Sequence, residues 1–325
     1  MPNPTAGSVH VDSLLTNISV GFVQSSTAFV ADRVFPRVGV QKQSGLIPTY
    51  NQGDFQRDEV DKRAPGSPVQ RSGYRVGRDS YICDEWGLAH AIDDQVVANA
   101  DDPYSPKQDA VLYLTQQMMI RREREFVTNF FSTGNLWTGS SDGADLVGGT
   151  DFTRWSNAAS TPIEDVHNQK ARIESNTGYV PNKLVLGRQV WYDLKNHPDI
   201  VDRIKYTSGE AVSAQIIARL LDVDEVLVTS AVRNSAAEGV TADVDFIGGD
   251  DALLVYSASS PSLMNPSGGY TFVWDGLIGS NQGQVVETYR DEDAVSDIIR
   301  IRATWAQKRT APSVGVFLTD CSTRA

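Results

Sequence analysis

Residues 51–80 form a long polar segment that restricts the possible folds more than any other part of this chain. Its only apolar or aromatic side chains are Phe55, Val60, Ala64, Val69, Tyr74 and Val76. Ordering one backbone residue costs about 1–2 kcal/mol, whereas apolar burial returns about 25 cal/mol per Å². Such a segment cannot build a core of its own, so it is either disordered or covered by neighbouring subunits. The second alternative predicts a protein that functions within an assembly.

Composition and charge exclude several classes of protein. The 325 residues are 40% hydrophobic, which is enough for one large domain or two ordinary ones. A net charge of -12 disfavours duplex binding, because phosphate recognition depends on Lys and Arg. No run of residues fits a membrane span or a secretory signal, so we expect a cytoplasmic site of synthesis. Cys83 and Cys321 lack metal-ligand spacing, and we expect them to be unpaired.

The N-terminal third has the pattern of an arm followed by a long two-stranded projection. Residues 1–50 mix short apolar pieces with Pro and Gly, which is typical of an extended arm with strand fragments. An outgoing strand near residues 37–50 and a return strand near residues 72–84 would enclose the polar segment. An isolated ribbon of that length is marginally stable in water, so it too requires a neighbour.

The clearest single element is a helix that begins at Ser105-Pro106, where a capping residue precedes Pro at the first helical position. Its predicted apolar stripe consists of Leu112, Met119, Phe126 and Phe130, with Tyr113, Ile120 and Val127 alongside. Glu123 interrupts this stripe. We expect its side chain to reach solvent or a nearby Arg, and a buried or inter-subunit pair is the alternative.

The remaining pattern predicts a mixed α/β region. A second helix begins at Thr161-Pro162 and ends before Gly178, and a further helix is predicted over residues 212–221. Short apolar runs predict strands at residues 184–186, 225–228, 244–247, 252–256, 270–274 and 314–318. Residues 298–305 alternate between apolar and polar side chains, which predicts a half-buried strand.

Three patterns resemble catalytic motifs, and each fits ordinary structure better. Gly248-Gly249-Asp250-Asp251 fits a turn between strands, since a two-metal site would need further acidic and basic groups. Ser141 lies in a Gly-x-Ser-x-Gly pattern without the buried strand that a nucleophile elbow requires. His90 precedes Asp93 and Asp94, but a solvated loop explains it better. We therefore predict no catalytic residue, no metal and no cofactor. A cytoplasmic α/β hydrolase or transferase using these residues is the alternative.

Two charged groups are candidates for contacts between subunits. One lies at the predicted tip of the projection and consists of Asp54, Arg57, Asp58, Glu59, Lys62 and Arg63. The other consists of Arg300 and Arg302, which follow an acidic cluster formed by Asp291, Glu292 and Asp293 with Glu287. Opposite charges across a subunit boundary set its register, so we predict contacts at both groups. A solvated surface is the simpler interpretation of either.

Several segments also carry a resemblance through their order along the chain. They are residues 29–36 (Phe-Val-Ala-Asp-Arg-Val-Phe-Pro), residues 175–187, residues 194–200, and the pair 298–302 and 314–317. This order resembles that of tailed-bacteriophage major capsid proteins with the Hong Kong 97-type fold. The resemblance implies an α+β fold with an N-terminal arm, an extended E-loop hairpin, a peripheral domain with a long spine helix and sheet, and a mixed α/β axial domain.

Carried onto this chain, the resemblance implies boundaries for each part. It places the arm at residues 1–36, the E-loop at 37–90, the peripheral domain at 91–182, the axial domain at 183–283, and the return strands of the peripheral domain at 284–325. It also implies that Phe29 and Phe35 of the arm contact neighbouring subunits.

The implied partners are copies of the same chain. Pentamers and hexamers would form an icosahedral or prolate head in the virion, assembled in the bacterial host cytoplasm. Double-stranded DNA would lie near the shell by proximity only, and no membrane is implied. Scaffolding, portal and decoration proteins stay open as further partners. An encapsulin-like compartment shell protein is a second alternative, beside the enzyme.

Overall fold

A computed structural model describes residues 23–100, 105–204, 213–260, 266–278 and 284–323. Its helices are α1 (Ala31–Val34), α2 (Gln52–Phe55), α3 (Asp94–Ala98), α4 (Pro106–Phe130), α5 (Pro162–Thr177), α6 (Arg188–Asn196), α7 (Pro198–Ile204), α8 (Ala214–Leu220) and α9 (Asp275–Ile278). Its strands are β1 (Arg37–Val40), β2 (Ser44–Tyr50), β3 (Val76–Ile82), β4 (Asp84–Asp93), β5 (Leu146–Val147), β6 (Lys183–Gly187), β7 (Glu225–Thr229), β8 (Val232–Asn234), β9 (Val244–Phe246), β10 (Ala252–Val255), β11 (Gly269–Trp274), β12 (Gln284–Asp291), β13 (Ser296–Arg309) and β14 (Gly315–Thr319).

The first sheet is built around the long strand β13. Its order is β1-β11-β13-β12, and β4 also pairs with β13. The alternation over residues 298–305 is confirmed, because Ile299, Ile301 and Trp305 are buried beneath α4. Arg300 and Arg302 lie on the opposite face, as the period of two requires.

Helix α4 confirms the predicted start at Pro106 but corrects the predicted stripe. Its buried positions include Ala110, Leu114, Met118, Phe126 and Phe130, which form a row with spacings that are multiples of four. Leu112 and Tyr113 are instead about half exposed. An i+4 row inclines across a helix surface, so it matches a helix that crosses its sheet at an angle. The predicted stripe was instead based on residues seven positions apart, namely Leu112, Met119 and Phe126. Such residues follow a line nearly parallel to the helix axis.

The second sheet lies between two layers and has the order β5-β14-β10-β6-β7. The predicted strands at 184–186, 225–228, 252–256 and 314–318 are all confirmed as its members. Leu184 belongs to the core beneath α5 to α8, and its neighbour Val185 belongs to the core beneath the arm and the end of α4. Helix α5 ends at Gly178, whose φ of 76° is the left-handed conformation that glycine favours.

The structure corrects the predicted outgoing strand over residues 37–50, because this range contains two strands that belong to different sheets. Strand β1 pairs in parallel with β11 of the first sheet, and only β2 pairs with β3 to form the hairpin. Strand β4 then enters the first sheet directly, crossing the expected E-loop boundary at residue 90. The domain limits stay predictions. The first 22 residues of the arm lie outside the described part of the chain.

Two further expectations concern cysteines and membranes. Cys83 and Cys321 are both buried and free, as predicted. Within the described ranges, every helix is too short or too polar to cross a bilayer.

Candidate assembly surface

The hairpin has two faces with different surroundings. Its register pairs Ser44 with Ile82 and Tyr50 with Val76, so alternate residues point to opposite sides. On the inner face, the ring of Tyr81 stacks on Phe272 of β11 with centroids 4.5 Å apart. Lys308 Nζ lies 3.0 Å from Asp79 Oδ1. The base of the hairpin is therefore fixed to the first sheet of its own chain.

The outer hairpin face, defined by Leu46, Tyr50, Val76 and Ile82, is apolar and open. Leu46 is 63% exposed and Ile82 is 61% exposed. These four residues share one side because Leu46 and Tyr50, and likewise Val76 and Ile82, are an even number of positions apart, and Tyr50 lies directly opposite Val76. Tyr50 is partly covered by the rings of Phe55 and Tyr74, with centroids 5.7 Å and 5.9 Å away, whereas Leu46, Val76 and Ile82 are each more than half exposed. Clustered exposed apolar side chains are typical of a surface that contacts another protein.

The tip loop, residues 56–75, contains no helix or strand and is closed at its base by an ion pair. Arg75 Nε and Nη2 each lie 3.1 Å from the Asp54 carboxylate. These hydrogen bonds lower the pKa of Asp54 to about 2. The rings of Phe55 and Tyr74 meet beside this pair, with centroids 5.3 Å apart. The loop therefore begins and ends at one point, although most of it has no packing of its own.

A groove of about 680 Å³ separates the hairpin from the rest of the molecule. Its apolar lining includes Ile47 and Phe55 from the hairpin side and Tyr179 and Phe272 from the body. Gln56 Nε2 crosses the groove and donates a hydrogen bond to the Asn176 carbonyl oxygen at 3.2 Å. The hairpin thus lies close to its own chain at both ends and leaves an apolar space between them.

The predicted charges of the tip loop contact one another. Arg57 Nη1 lies 2.9 Å from Glu59 Oε1. Asp58 Oδ1 accepts a hydrogen bond from the Val60 amide at 3.3 Å, and Arg63 donates to the Ser67 carbonyl oxygen. Lys62 is exposed. Contacts of these residues and of Asp54 with other subunits stay a prediction.

Arg300 and Arg302 pair with acidic groups of the same chain, and their predicted contact with another subunit stays a prediction. Arg300 Nη2 lies 2.5 Å from Glu287 Oε2 on β12, and Arg302 Nε lies 2.6 Å from Glu85 Oε1 on β4. Cross-strand neighbours on one face of a sheet are close enough for such pairs. Asp291, from the acidic cluster, accepts hydrogen bonds from the amides of the following turn. These charges therefore form a ladder within one subunit, and their contact with a second subunit is only a prediction.

The arm also departs from the sequence-based expectation. Phe35 is 1% exposed and packs on Phe130 and Trp137 of its own chain, with centroids 4.7 Å and 6.3 Å away. Its predicted contact with a neighbouring subunit is therefore wrong, since an apolar ring finds its core within the subunit. Phe29 is partly buried, and its contact with another subunit stays a prediction.

Glu123 was expected at solvent or beside an Arg, and this is also wrong. Its side chain is fully buried, and its Oε2 atom accepts hydrogen bonds from the amides of Val30 and Ala31 at 3.0 Å and 2.9 Å. The sequence did contain a signal, because a carboxylate interrupted an apolar stripe. It did not identify the partner, which lies more than ninety residues away in the arm.

Among the described residues, no hydrogen bond joins His90, Asp93, Asp94 and Ser141, the residues of the alternative enzyme. His90 is exposed on β4, with its ring 6.2 Å from that of Tyr113. Asp93 caps α3 by accepting a hydrogen bond from the Gln95 amide at 2.8 Å. Arg290 binds Asp94 through two hydrogen bonds of 2.6 Å and lowers the pKa of that carboxyl. These carboxylates already have structural partners.

The two other catalytic-like motifs are ordinary connections, as predicted. Ser141 lies exposed in a loop without a preceding strand. Residues 248–251 form the turn between β9 and β10, where Gly249 has a φ of 58°. Burial raises the pKa of Asp251 to about 6, and its carboxylate accepts a hydrogen bond from the Asp320 amide at 3.0 Å. The described residues contain no cluster of His, Cys, Asp or Glu suited to a metal ion.

Comparison with known proteins gives one consistent class. No family model matches the chain. The "Major capsid protein" of Burkholderia phage BcepMu is 24% identical over 295 residues, covering 89% of this chain and 90% of that protein. The "Major capsid protein" of Pseudomonas phage JBD67 is 26% identical, covering 94% and 96%.

Solved structures agree with these relatives. A phage-related protein from Bordetella bronchiseptica RB50 superposes with a TM-score of 0.69 at 23% identity, covering 93% of this chain and 95% of that one. The bacteriophage PhiM1 mature capsid has a TM-score of 0.60 at 14% identity, covering 93% and 90%. The SrpI encapsulin of Synechococcus elongatus PCC 7942 has a lower TM-score of 0.52 at 12% identity, covering 96% of each chain.

The chain therefore has the α+β fold of the phage capsid structures that it superposes on, the Hong Kong 97-type fold. Among proteins with this fold, it is similar along nearly its whole length to the major capsid proteins of phages BcepMu and JBD67.

Proposed function

We propose that this protein is the major structural subunit of a phage head and that many copies associate non-covalently into a closed shell around double-stranded DNA. The observation that carries the proposal is the outer hairpin face, whose apolar side chains are exposed, together with the attached polar tip loop, on a molecule whose two sheets are well packed. The similarity to phage major capsid proteins over about nine-tenths of the chain supports it.

The proposed shell consists of pentamers and hexamers, within which the hairpin of one subunit lies against the next. Contacts between different patches of two copies generate rings when the rotation closes, which is the arrangement such capsomers require. The net charge of -12 supports a shell that lies beside DNA without binding it tightly. We place the protein in the virion after assembly in the host cytoplasm, with scaffolding, portal and decoration proteins as candidate partners.

The proposed role is structural and not enzymatic. Substituting His90, Asp93 and Ser141 together by Ala should leave particle yield unchanged, because none of the three lies on the hairpin or tip loop. The encapsulin alternative has weaker support, since its structural similarity is lower than that of the phage-related protein.

Removal of the tip loop tests the proposal directly. A variant in which residues 57–73 are replaced by a short Gly-Ser linker keeps the Asp54–Arg75 pair and both hairpin strands. It should remain a folded subunit by circular dichroism and fail to form closed particles by negative-stain microscopy and sedimentation. The control replaces residues 57–73 with Gly and Ser without changing the length of the loop. Comparing the two variants separates the effect of a shorter loop from the effect of losing specific side-chain contacts.

Both wild type and variants would be expressed alone and with the scaffolding protein of a related phage. Closed particles of normal size from the shortened variant would contradict the assignment of the hairpin as an assembly element. A wild-type chain that sediments as a monomer under both conditions would contradict the shell itself.

A further inference from the structure

The short arm helix α1 is held at both ends by polar side chains from two different parts of the fold. At its N-terminus, Glu123 of α4 accepts the amide hydrogens of Val30 and Ala31. At its C-terminus, Lys183 of β6 donates from Nζ to the carbonyl oxygens of Arg33 and Val34, at 2.5 Å and 3.0 Å. We call Glu123 and Lys183 the arm clamp. Lys183 complements the partial negative charge at the C-terminus of α1, and Glu123 supplies an acceptor for two amides at its N-terminus.

The Glu123 end of the arm clamp has an unsatisfied hydrogen-bonding position. Oε2 is the atom that accepts the two amides, whereas Oε1 is buried without a partner in the described part of the chain. Thr229 of β7 faces this carboxyl, and its Oγ1 atom is likewise buried and unpartnered. The two atoms can satisfy each other in either protonation state, because the Thr229 hydroxyl can donate to an ionised Oε1 and a protonated Oε1 can donate to Thr229 Oγ1.

The charged groups around Glu123 do not neutralise it. Asp32 of α1 is the nearest other carboxylate, and Arg122 binds it at 3.0 Å. Glu225 of β7 binds Arg33 at 2.5 Å. Among the described residues, no cation lies within salt-bridge distance of Glu123. Burial raises the pKa of Glu123 to about 7, although the arm amides and Thr229 act in the opposite direction.

We propose that Glu123 controls attachment of the N-terminal arm through its protonation state. The neutral carboxyl completes its hydrogen bonds by donating to Thr229, and α1 stays docked. When the proton leaves Oε1 for solvent, a buried charge remains that has only uncharged donors, namely the two arm amides and the Thr229 hydroxyl, and no cation. Hydration of that carboxylate requires α1 to move away from α4, because the arm covers it.

The pH range follows from linkage. An undocked, hydrated Glu has an ordinary pKa near 4.5, below the value of about 7 in the docked state. Docking is therefore strongest below pH 4.5 and weakens as the pH rises towards 7, because the docked form holds its proton more tightly. Well above pH 7, Glu123 is ionised in both the docked and the undocked state, so docking of α1 no longer depends on its titration.

Trypsin cleavage after Arg33 measures undocking in the full-length, unassembled subunit. Cleavage after Arg63 in the exposed tip loop serves as an internal reference, which cancels the pH dependence of the protease. The ratio of cleavage at Arg33 to cleavage at Arg63, measured by mass spectrometry, should rise about tenfold between pH 6 and pH 8.5.

Three variants separate the proton effect from simple destabilisation. Glu123→Gln keeps an uncharged acceptor for the arm and should give a low ratio without pH dependence. Glu125→Gln removes a carboxylate from the same helix and should retain the wild-type rise. Lys183→Met weakens the other end of α1, so it should raise the ratio at every pH and leave the rise intact.

A wild-type ratio that is flat between pH 6 and pH 8.5 would overturn the proposal, as would a wild-type rise in Glu123→Gln. Rapid cleavage of Glu123→Gln at every pH would do the same, because the uncharged carboxamide is expected to hold the arm. The measurement uses single subunits, so its result is independent of whether the protein forms a shell.

Discussion

At the scale of single residues, Phe35 shows most clearly how the subunit differs from the sequence-based expectation. Its ring lies in the core between Phe126, Phe130 and Trp137. A segment that resembles an arm for neighbouring subunits is thus partly a component of its own core. The same chemistry that makes an aromatic residue suitable for an interface makes it suitable for an interior, so residue type alone did not distinguish them.

Phe35→Ala should therefore destabilise the isolated subunit by about 3–5 kcal/mol, because it removes a buried ring and leaves a cavity. Urea denaturation followed by circular dichroism measures the effect. Leu46→Ala is the matched control on the exposed hairpin face and should change stability by less than about 1 kcal/mol. Unchanged subunit stability with lost assembly in Phe35→Ala would restore the original inter-subunit prediction.

The ion pair at the base of the tip loop gives a second residue-scale prediction. Arg75 lowers the pKa of Asp54 to about 2, so the pair is intact above the ordinary value of 3.8 and is lost as the pH falls through about 2. In Arg75→Met the pKa of Asp54 should return towards 3.8, as measured by NMR titration of the side-chain carboxyl. Arg71→Met alters the same loop and should leave the Asp54 titration unchanged. An unaltered pKa in Arg75→Met would show that the pair does not form.

At the scale of elements, the hairpin combines a fixed inner face with an open outer one. Tyr81 stacked on Phe272 orients the strands, and the outer hairpin face projects away from the first sheet. The double substitution Leu46→Ser/Ile82→Ser should leave the subunit folded and reduce particle yield at least tenfold, because apolar contacts with the next copy are lost.

Sedimentation velocity and circular dichroism measure these two effects separately. Val240→Ser, at an exposed apolar residue outside the hairpin, is the control for lowered surface hydrophobicity. Normal particle yield in the double variant would exclude this face from subunit contacts.

Local sequence signals predicted the elements better than their partners. Pro106 and Gly178 marked a helix start and a helix end, because local backbone chemistry determines both. The sequence did not predict the pairing of β1 with β11, because more than two hundred residues separate the two strands and no local pattern in either strand identifies its partner. Likewise, the position of Glu123 was conspicuous in the sequence, but only the fold identified the arm as its partner.

At the scale of the whole molecule, the acidic charge opposes association. Copies of a subunit with a net charge of -12 repel one another, and the Arg300 and Arg302 side chains already bind Glu287 and Glu85 within the chain. Salt shortens the range of this repulsion from about 30 Å at 0.01 M to about 10 Å at 0.1 M.

Particle formation should therefore be faster at 0.1 M than at 0.01 M NaCl, as measured by light scattering. The variant Glu292→Gln/Asp293→Asn removes two negative charges and should narrow the difference between the two salt concentrations. Faster assembly at 0.01 M would show that attractive charge contacts dominate the interface.

The arrangement around β13 has a mechanical consequence for the proposed shell. Strands β4 and β12 pair with opposite edges of the same segment of β13, beginning at Ser296. A force directed along this strand would load both ladders in shear, so their hydrogen bonds would have to break together and not one after another. The first sheet should therefore resist tension along β13, and it should separate most easily under forces that pull β4 or β12 sideways, one hydrogen bond at a time.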